Sequence, residues 1–124
     1  MSTKILVVDD EDDVRLFLQD FLAERDLQVD TAMNGQEALE KVEVLHPDII
    51  LLDIMMPGID GMECLKRIKE KFPEIIVVMI TALKDEARIA MAKKLGAHDY
   101  IVKPFSLTYL EEELGKLLDN PPPK

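Results

Sequence analysis

With 124 residues, 48% of them hydrophobic and 32% charged, the chain has the size and composition of one soluble globular domain with a single sizeable core. A net charge of −10 excludes the basic footprint of non-specific nucleic-acid binding, and a single cysteine, Cys64, excludes an internal disulfide framework. No apolar run approaches membrane-spanning length and Met1-Ser2-Thr3-Lys4 lacks a secretory pattern, so a cytoplasmic protein without membrane contact is expected.

Ile5–Val8 is a β-branched-rich run that reads as a buried strand and ends on Asp9-Asp10-Glu11-Asp12-Asp13. Val14, Phe17, Leu18, Phe21 and Leu22 then recur at the spacing of one helical face. Leu27 to Ala32 alternates and suits a half-exposed edge strand. Ala38, Leu39, Val42 and Leu45 give a second helical face, closed before His46-Pro47. Asp48-Ile49-Ile50-Leu51-Leu52-Asp53 is too short for a helix and reads as a strand buried on both faces, turned away by Pro57-Gly58. A helix from Gly61 to Lys71 places Met62, Leu65 and Ile68 inward, and Pro73 follows it. Ile75–Ile80 is a third apolar strand, ending on Thr81. A fourth helix, Asp85 to Leu95, is Ala-rich and less clearly amphipathic, with Gly96 as its stop. Tyr100–Val102 makes a short fifth strand, and Leu107, Leu110, Leu114, Leu117 and Leu118 form the face of a last helix. The domain is expected over residues 1–118, with 119–124 a disordered tail or linker stub because Pro121-Pro122-Pro123 cannot continue a helix.

Five strands alternating with five helices predict an α/β fold, a single doubly wound domain with a parallel five-stranded sheet covered on both faces. Such sheets bind ligands outside the carboxyl ends of their strands. The residues arriving there are Asp9-Asp10, Asp53, Thr81 and Lys103, all polar. Two carboxylates 4 Å apart repel by about 4 kcal/mol at an effective dielectric of 20, so the cluster calls for a cation. With oxygen ligands only, Mg²⁺ is expected before Ca²⁺, with Mn²⁺ as a substitute. A hard cation, an ammonium and a hydroxyl around one Asp are the parts that phosphoryl transfer needs, and Asp is a covalent phosphoryl acceptor in other settings.

Val8-Asp9-Asp10-Glu11, Leu52-Asp53-Ile54-Met55-Met56-Pro57-Gly58-Ile59-Asp60-Gly61, Ile80-Thr81-Ala82, Gly96-Ala97-His98-Asp99-Tyr100 and Lys103-Pro104-Phe105 together resemble the receiver domain of two-component response regulators, over Lys4 to Leu118. The resemblance implies a flavodoxin-like sheet of strand order 2-1-3-4-5. It implies that Asp53 accepts a phosphoryl group from a sensor-kinase histidine, a phosphotransfer protein or a small acyl phosphate. It further implies side-chain Mg²⁺ ligation by Asp10 and Asp53, by Asp9 largely through water, and by the Met55 backbone carbonyl. Thr81 and Lys103 would grip the phosphoryl oxygens, Tyr100 would be the switch aromatic that follows Thr81 inward, and the Lys103-Pro104 peptide would be cis. The domain is then a signalling switch, not an enzyme beyond assisting its own phosphorylation and dephosphorylation. Its readout would lie on the fourth helix, fifth strand and fifth helix, toward a downstream protein, a covalently linked output domain or a phosphorylation-dependent homodimer.

The sequence departs from the family pattern in two respects. Glu113 stands where winged-helix regulators usually carry a basic residue used in dimer salt bridges, which argues against that mode of pairing; an exposed acidic face accounts for Glu111-Glu112-Glu113 equally well. Met55 and Leu83, two residues beyond Asp53 and Thr81, are apolar and cannot orient an attacking water, so slow self-hydrolysis is expected. Among competing readings, a haloacid-dehalogenase-like phosphatase needs a second Asp at position 55, and the acidic first loop would repel the phosphate of a flavodoxin's FMN. A pseudo-receiver, acting as an interaction module that is never phosphorylated, is the remaining alternative.

Overall fold

The computed structural model of the protein describes residues 3–119. Strands β1 (Thr3–Val8), β2 (Leu27–Ala32), β3 (Ile49–Leu52), β4 (Ile76–Thr81) and β5 (Asp99–Val102) alternate with helices α1 (Asp12–Ala23), α2 (Gly35–Leu45), α3 (Gly61–Lys71), α4 (Glu86–Lys94) and α5 (Leu107–Asp119). Every strand pairing is parallel, in the order β2-β1-β3-β4-β5, as expected. Residues 120–124, where most of the expected tail falls, lie outside the described residues.

Side chains of a strand alternate between faces, so a sheet covered on both sides demands apolar residues at every position. Ile5, Val7, Ile49, Leu51, Val78, Ile80 and Ile101 pack on one face against α1 and α5. Their neighbours Leu6, Val8, Ile50, Leu52, Val77 and Met79 pack on the other against α2, α3 and α4. That two-sided burial explains why the three central strands read as unbroken apolar runs.

Local signals set the helix boundaries. The side chains of Asn34, Asp60 and Asp85 accept the amides of Glu37, Glu63 and Arg88, capping α2, α3 and α4. Glu11, at the same position of α1, makes no side-chain capping bond. Gly96, at φ +107°, turns the chain after α4 in a conformation other residues rarely adopt.

Two expected core residues are exposed, and Val14, Leu39, Leu45 and Met62 are only partly buried. Leu107 is 54% exposed, because the first turn of α5 starts at the carboxyl edge, before the helix passes over strand residues. Phe17 is 41% exposed and lies against Phe105 on the β5–α5 loop, with ring centroids 5.7 Å apart.

Candidate functional site

The sheet's own ladder positions the polar residues. Val8 pairs with Leu52, so Asp9 and Asp53 leave adjacent strands side by side. The Asp53 amide donates to Val8 O at 3.0 Å and the Asp9 amide to Ala32 O at 3.1 Å. On the far side Thr81 pairs with Val102, and the Lys103 amide donates to Thr81 O at 2.9 Å. Asp53 is further fixed from α3: a Cβ added at Gly61 would come within 2.0 Å of the Asp53 carbonyl oxygen. Only glycine lets α3 start so close to the backbone that carries Asp53.

Lys103 gathers the acids. Its Nζ donates to Asp9 Oδ2 at 2.7 Å, to Asp53 Oδ2 at 3.0 Å and to Glu11 Oε1 at 3.3 Å. Burial alone would lower the Lys103 pKa, but the hydrogen bonds to Asp9 and Asp53 outweigh it and hold the ammonium above the usual lysine range. The Asp9 pKa is raised as well, here because burial pushes its carboxyl up against the lowering from Lys103 and the Glu11 amide. Asp9 and Asp53 are almost fully buried, whereas Asp10 and Glu11 are exposed. The remaining Asp53 oxygen, Oδ1, accepts the Met55 amide at 3.1 Å. Arg15 reaches under the loop, donating to the Asp9 carbonyl at 2.7 Å.

Asp9, Asp10, Glu11 and Asp53 each offer an oxygen, and these atoms lie within 4.8 Å of one another. A donor set made only of carboxylate oxygens fits a hard divalent cation. Thr81 is fully buried at the end of β4, and its Oγ1 accepts the Leu83 amide at 3.4 Å, which leaves the hydroxyl proton available to another acceptor. Tyr100 is buried, and its hydroxyl donates to the Leu83 carbonyl. Burial and then the Asp85 charge raise its pKa, so the phenol stays a donor at neutral pH. The Lys103-Pro104 peptide is cis.

A family model for the response regulator receiver domain matches residues 5–115. The chain belongs to that family. The receiver is 42% identical over 106 residues to the alkaline phosphatase synthesis transcriptional regulatory protein PhoP of Bacillus subtilis, covering 86% of this chain and 44% of that one. It is 36% identical over 118 residues to the chemotaxis protein CheY of Thermotoga maritima, covering 94% of this chain and 98% of the other. The solved response regulator domain of Thermotoga maritima CheB matches with a TM-score of 0.83 at 36% identity, over 98% of this chain and 100% of that one. The receiver thus spans less than half the length of the transcriptional regulators it matches and nearly the whole of the chemotaxis protein.

It is a two-component signalling switch with the phosphoacceptor fold of that family. Direct hydrogen bonds join Asp9, Asp53 and Lys103, and Asp10 completes the acidic cluster beside them. Met55 meets Asp53 through its amide, while its side chain points out to solvent. Three neighbours were given no site role from the sequence, although Glu11 and Gly61 stand in the motifs quoted above. Glu11 carries a signal, since it adjoins the acidic pair; Arg15, on a polar helix face, carries none. Gly61 marked only a helix start, and its clearance to Asp53 depends on a packing distance.

Proposed function

We propose that Asp53 is the phosphoacceptor of this receiver, taking a phosphoryl group from the histidine of a sensor kinase or phosphotransfer protein. The observation that supports this most is Lys103 Nζ within hydrogen-bond reach of both Asp9 and Asp53, at the topological switch point of the sheet. Asp53 attacks as a carboxylate, so no proton leaves it. An oxygen–phosphorus bond forms, the phosphorus–nitrogen bond breaks, and the imidazole keeps the electron pair and picks up a proton. Lys103 and the Thr81 hydroxyl stabilise charge on the equatorial oxygens. Mg²⁺ is the cation proposed for the cluster, held by Asp10 and Asp53, by Asp9 through water and by the Met55 carbonyl, with Mn²⁺ as a substitute. When bound it neutralises charge shared between Asp53 and the phosphoryl group.

Phosphorylation then favours the conformation that brings Thr81 and Lys103 toward Asp53, and Tyr100, already turned in onto Leu83, is the proposed switch aromatic. A coupling of about 1–3 kcal/mol, or roughly 5–150-fold in partner affinity, is typical of such switches. The partner is a downstream protein or a linked output domain, reading the face of α4, β5 and α5. The switch assists its own phosphorylation and dephosphorylation and turns over no other substrate. Among the described residues no helix is long and apolar enough to cross a membrane, and the cytoplasm is the proposed setting.

Intact-mass spectrometry after incubation with acetyl phosphate and Mg²⁺ tests the reading. The wild type and Asp48→Asn gain one phosphoryl mass and Asp53→Asn gains none. Asp48 sits at the opposite end of β3, where it accepts the Lys4 amide at 2.8 Å. A wild type that stays unmodified would establish the pseudo-receiver instead.

A further inference from the structure

Asp9 is 1% exposed, and each of its polar groups has a partner. Its amide donates to Ala32 O at 3.1 Å, its Oδ1 accepts the Glu11 amide at 3.0 Å and its Oδ2 accepts Lys103 Nζ at 2.7 Å. The carbonyl is the remaining group, and it accepts Arg15 Nη1 at 2.7 Å. The first three bonds place the residue and its carboxylate. The bond from Arg15 sets the plane of the peptide joining Asp9 to Asp10, since a carbonyl and the amide that follows it share one rigid plane.

That plane decides where Asp10 goes. Asp10 is exposed, yet it offers an oxygen within 4.8 Å of those of Asp9, Glu11 and Asp53. Acids brought this close repel, and an exposed one is free to swing away. Arg15 is itself fixed. Its Nη2 pairs with Asp12 at the start of α1, so the helix holds the guanidinium fork with its other arm on the Asp9 carbonyl. The Arg15 side chain is 14% exposed. Removing it leaves a buried carbonyl without a donor. Turning the Asp9–Asp10 peptide toward water relieves that, and the turn carries Asp10 away from the cluster.

We infer that Arg15 is a positioning residue for the cation site: by pinning the Asp9–Asp10 peptide it holds the Asp10 carboxylate in the acidic cluster. Arg15 acts through Asp10 and touches neither the cation nor the phosphoryl group. Its charge and its hydrogen bond work in opposite directions. A guanidinium repels a cation, so losing the charge alone tightens binding, whereas losing the pin weakens it. The inference rests on the proposed divalent-cation site.

Mn²⁺ is titrated into the folded receiver, and the free ion is read by electron paramagnetic resonance. Arg15→Met weakens binding about ten-fold, the lower end of what residues behind metal ligands contribute. Arg15→Gln weakens it likewise and carries the test if circular dichroism shows that the Met variant does not fold. In an Asp10→Asn background the loss shrinks to about two-fold or less, as a double-mutant cycle requires of an effect that runs through Asp10. Unchanged or tightened binding in a folded Arg15 variant overturns the inference, whatever happens to its melting temperature. So does a loss that persists undiminished beside Asp10→Asn. A wild type that binds no Mn²⁺ overturns the cation site and this inference with it, while the phosphoacceptor role of Asp53 is decided separately by the mass measurement.

Discussion

Met55 and Leu83 flank the acidic site without offering a hydrogen-bonding side chain. Met55 is 54% exposed, and Leu83 meets its neighbours through its backbone amide and carbonyl. With no side chain there to orient water, the acyl phosphate of the isolated receiver in Mg²⁺ should persist for minutes or longer. A decay within seconds, followed by radiolabel loss, would sink that expectation. Cys64 shows the opposite environment. It is sealed in the core on the inward face of α3, and burial, helped by the Asp60 charge, pushes its thiol up to about 11. An unfolded cysteine titrates near about 8.5, so the folded form binds the proton more tightly. Stability from this group is complete below that pH and declines as pH rises toward the folded value. Urea titrations between pH 8 and 11 should show the decline, and Cys64→Ala should flatten part of it. The same burial should leave Cys64 unlabelled by thiol reagents at pH 8 until urea unfolds the chain.

At the scale of elements, the apolar packing of α5 through Leu110, Leu114, Leu117 and Leu118 is joined by a polar tie from Arg25. Arg25, at the end of α1, donates to Glu111 at 2.8 Å and to Asp119 at 3.3 Å, and lies 4.9 Å over the ring of Phe21. Glu111 is therefore engaged within the chain, while Glu112 and Glu113 face solvent. Arg25→Ala should cost about 1 kcal/mol in urea denaturation and raise amide exchange along α5; Glu113→Ala should do neither. The elements themselves were legible because burial on two faces leaves a strand such as Ile49–Leu52 no polar position. α4 was harder to read, since it buries only Ala92 and so prints little helical periodicity. Leu107 has the right spacing from Leu110 but the wrong place along the helix, which spacing cannot reveal. Asp9, Asp53, Thr81 and Lys103 were legible because each ends a strand. The Glu11–Lys103 and Arg15–Asp9 contacts were not, because they depend on where long side chains reach across loops.

For the molecule as a whole, part of the net charge of −10 sits where four carboxylates cluster and three of them share one lysine. A divalent cation that binds only the folded cluster should raise the melting temperature, contributing about 2.7 kcal/mol at a hundred times its Kd. Calorimetry with MgCl₂ against NaCl of equal ionic strength checks this, and Asp10→Asn should reduce the difference. Equal shifts from the two salts would refute a specific site. The cluster also spans the chain: Asp9 and its lysine are 94 residues apart, and Asp53 and the same lysine 50. During synthesis the acids emerge long before β5, and a ribosome-bound chain halted ahead of Lys103 carries them without their counter-ion. On the proposed reading, competence to be phosphorylated therefore arrives with β5 and Lys103, and the modification passes over chains halted before them.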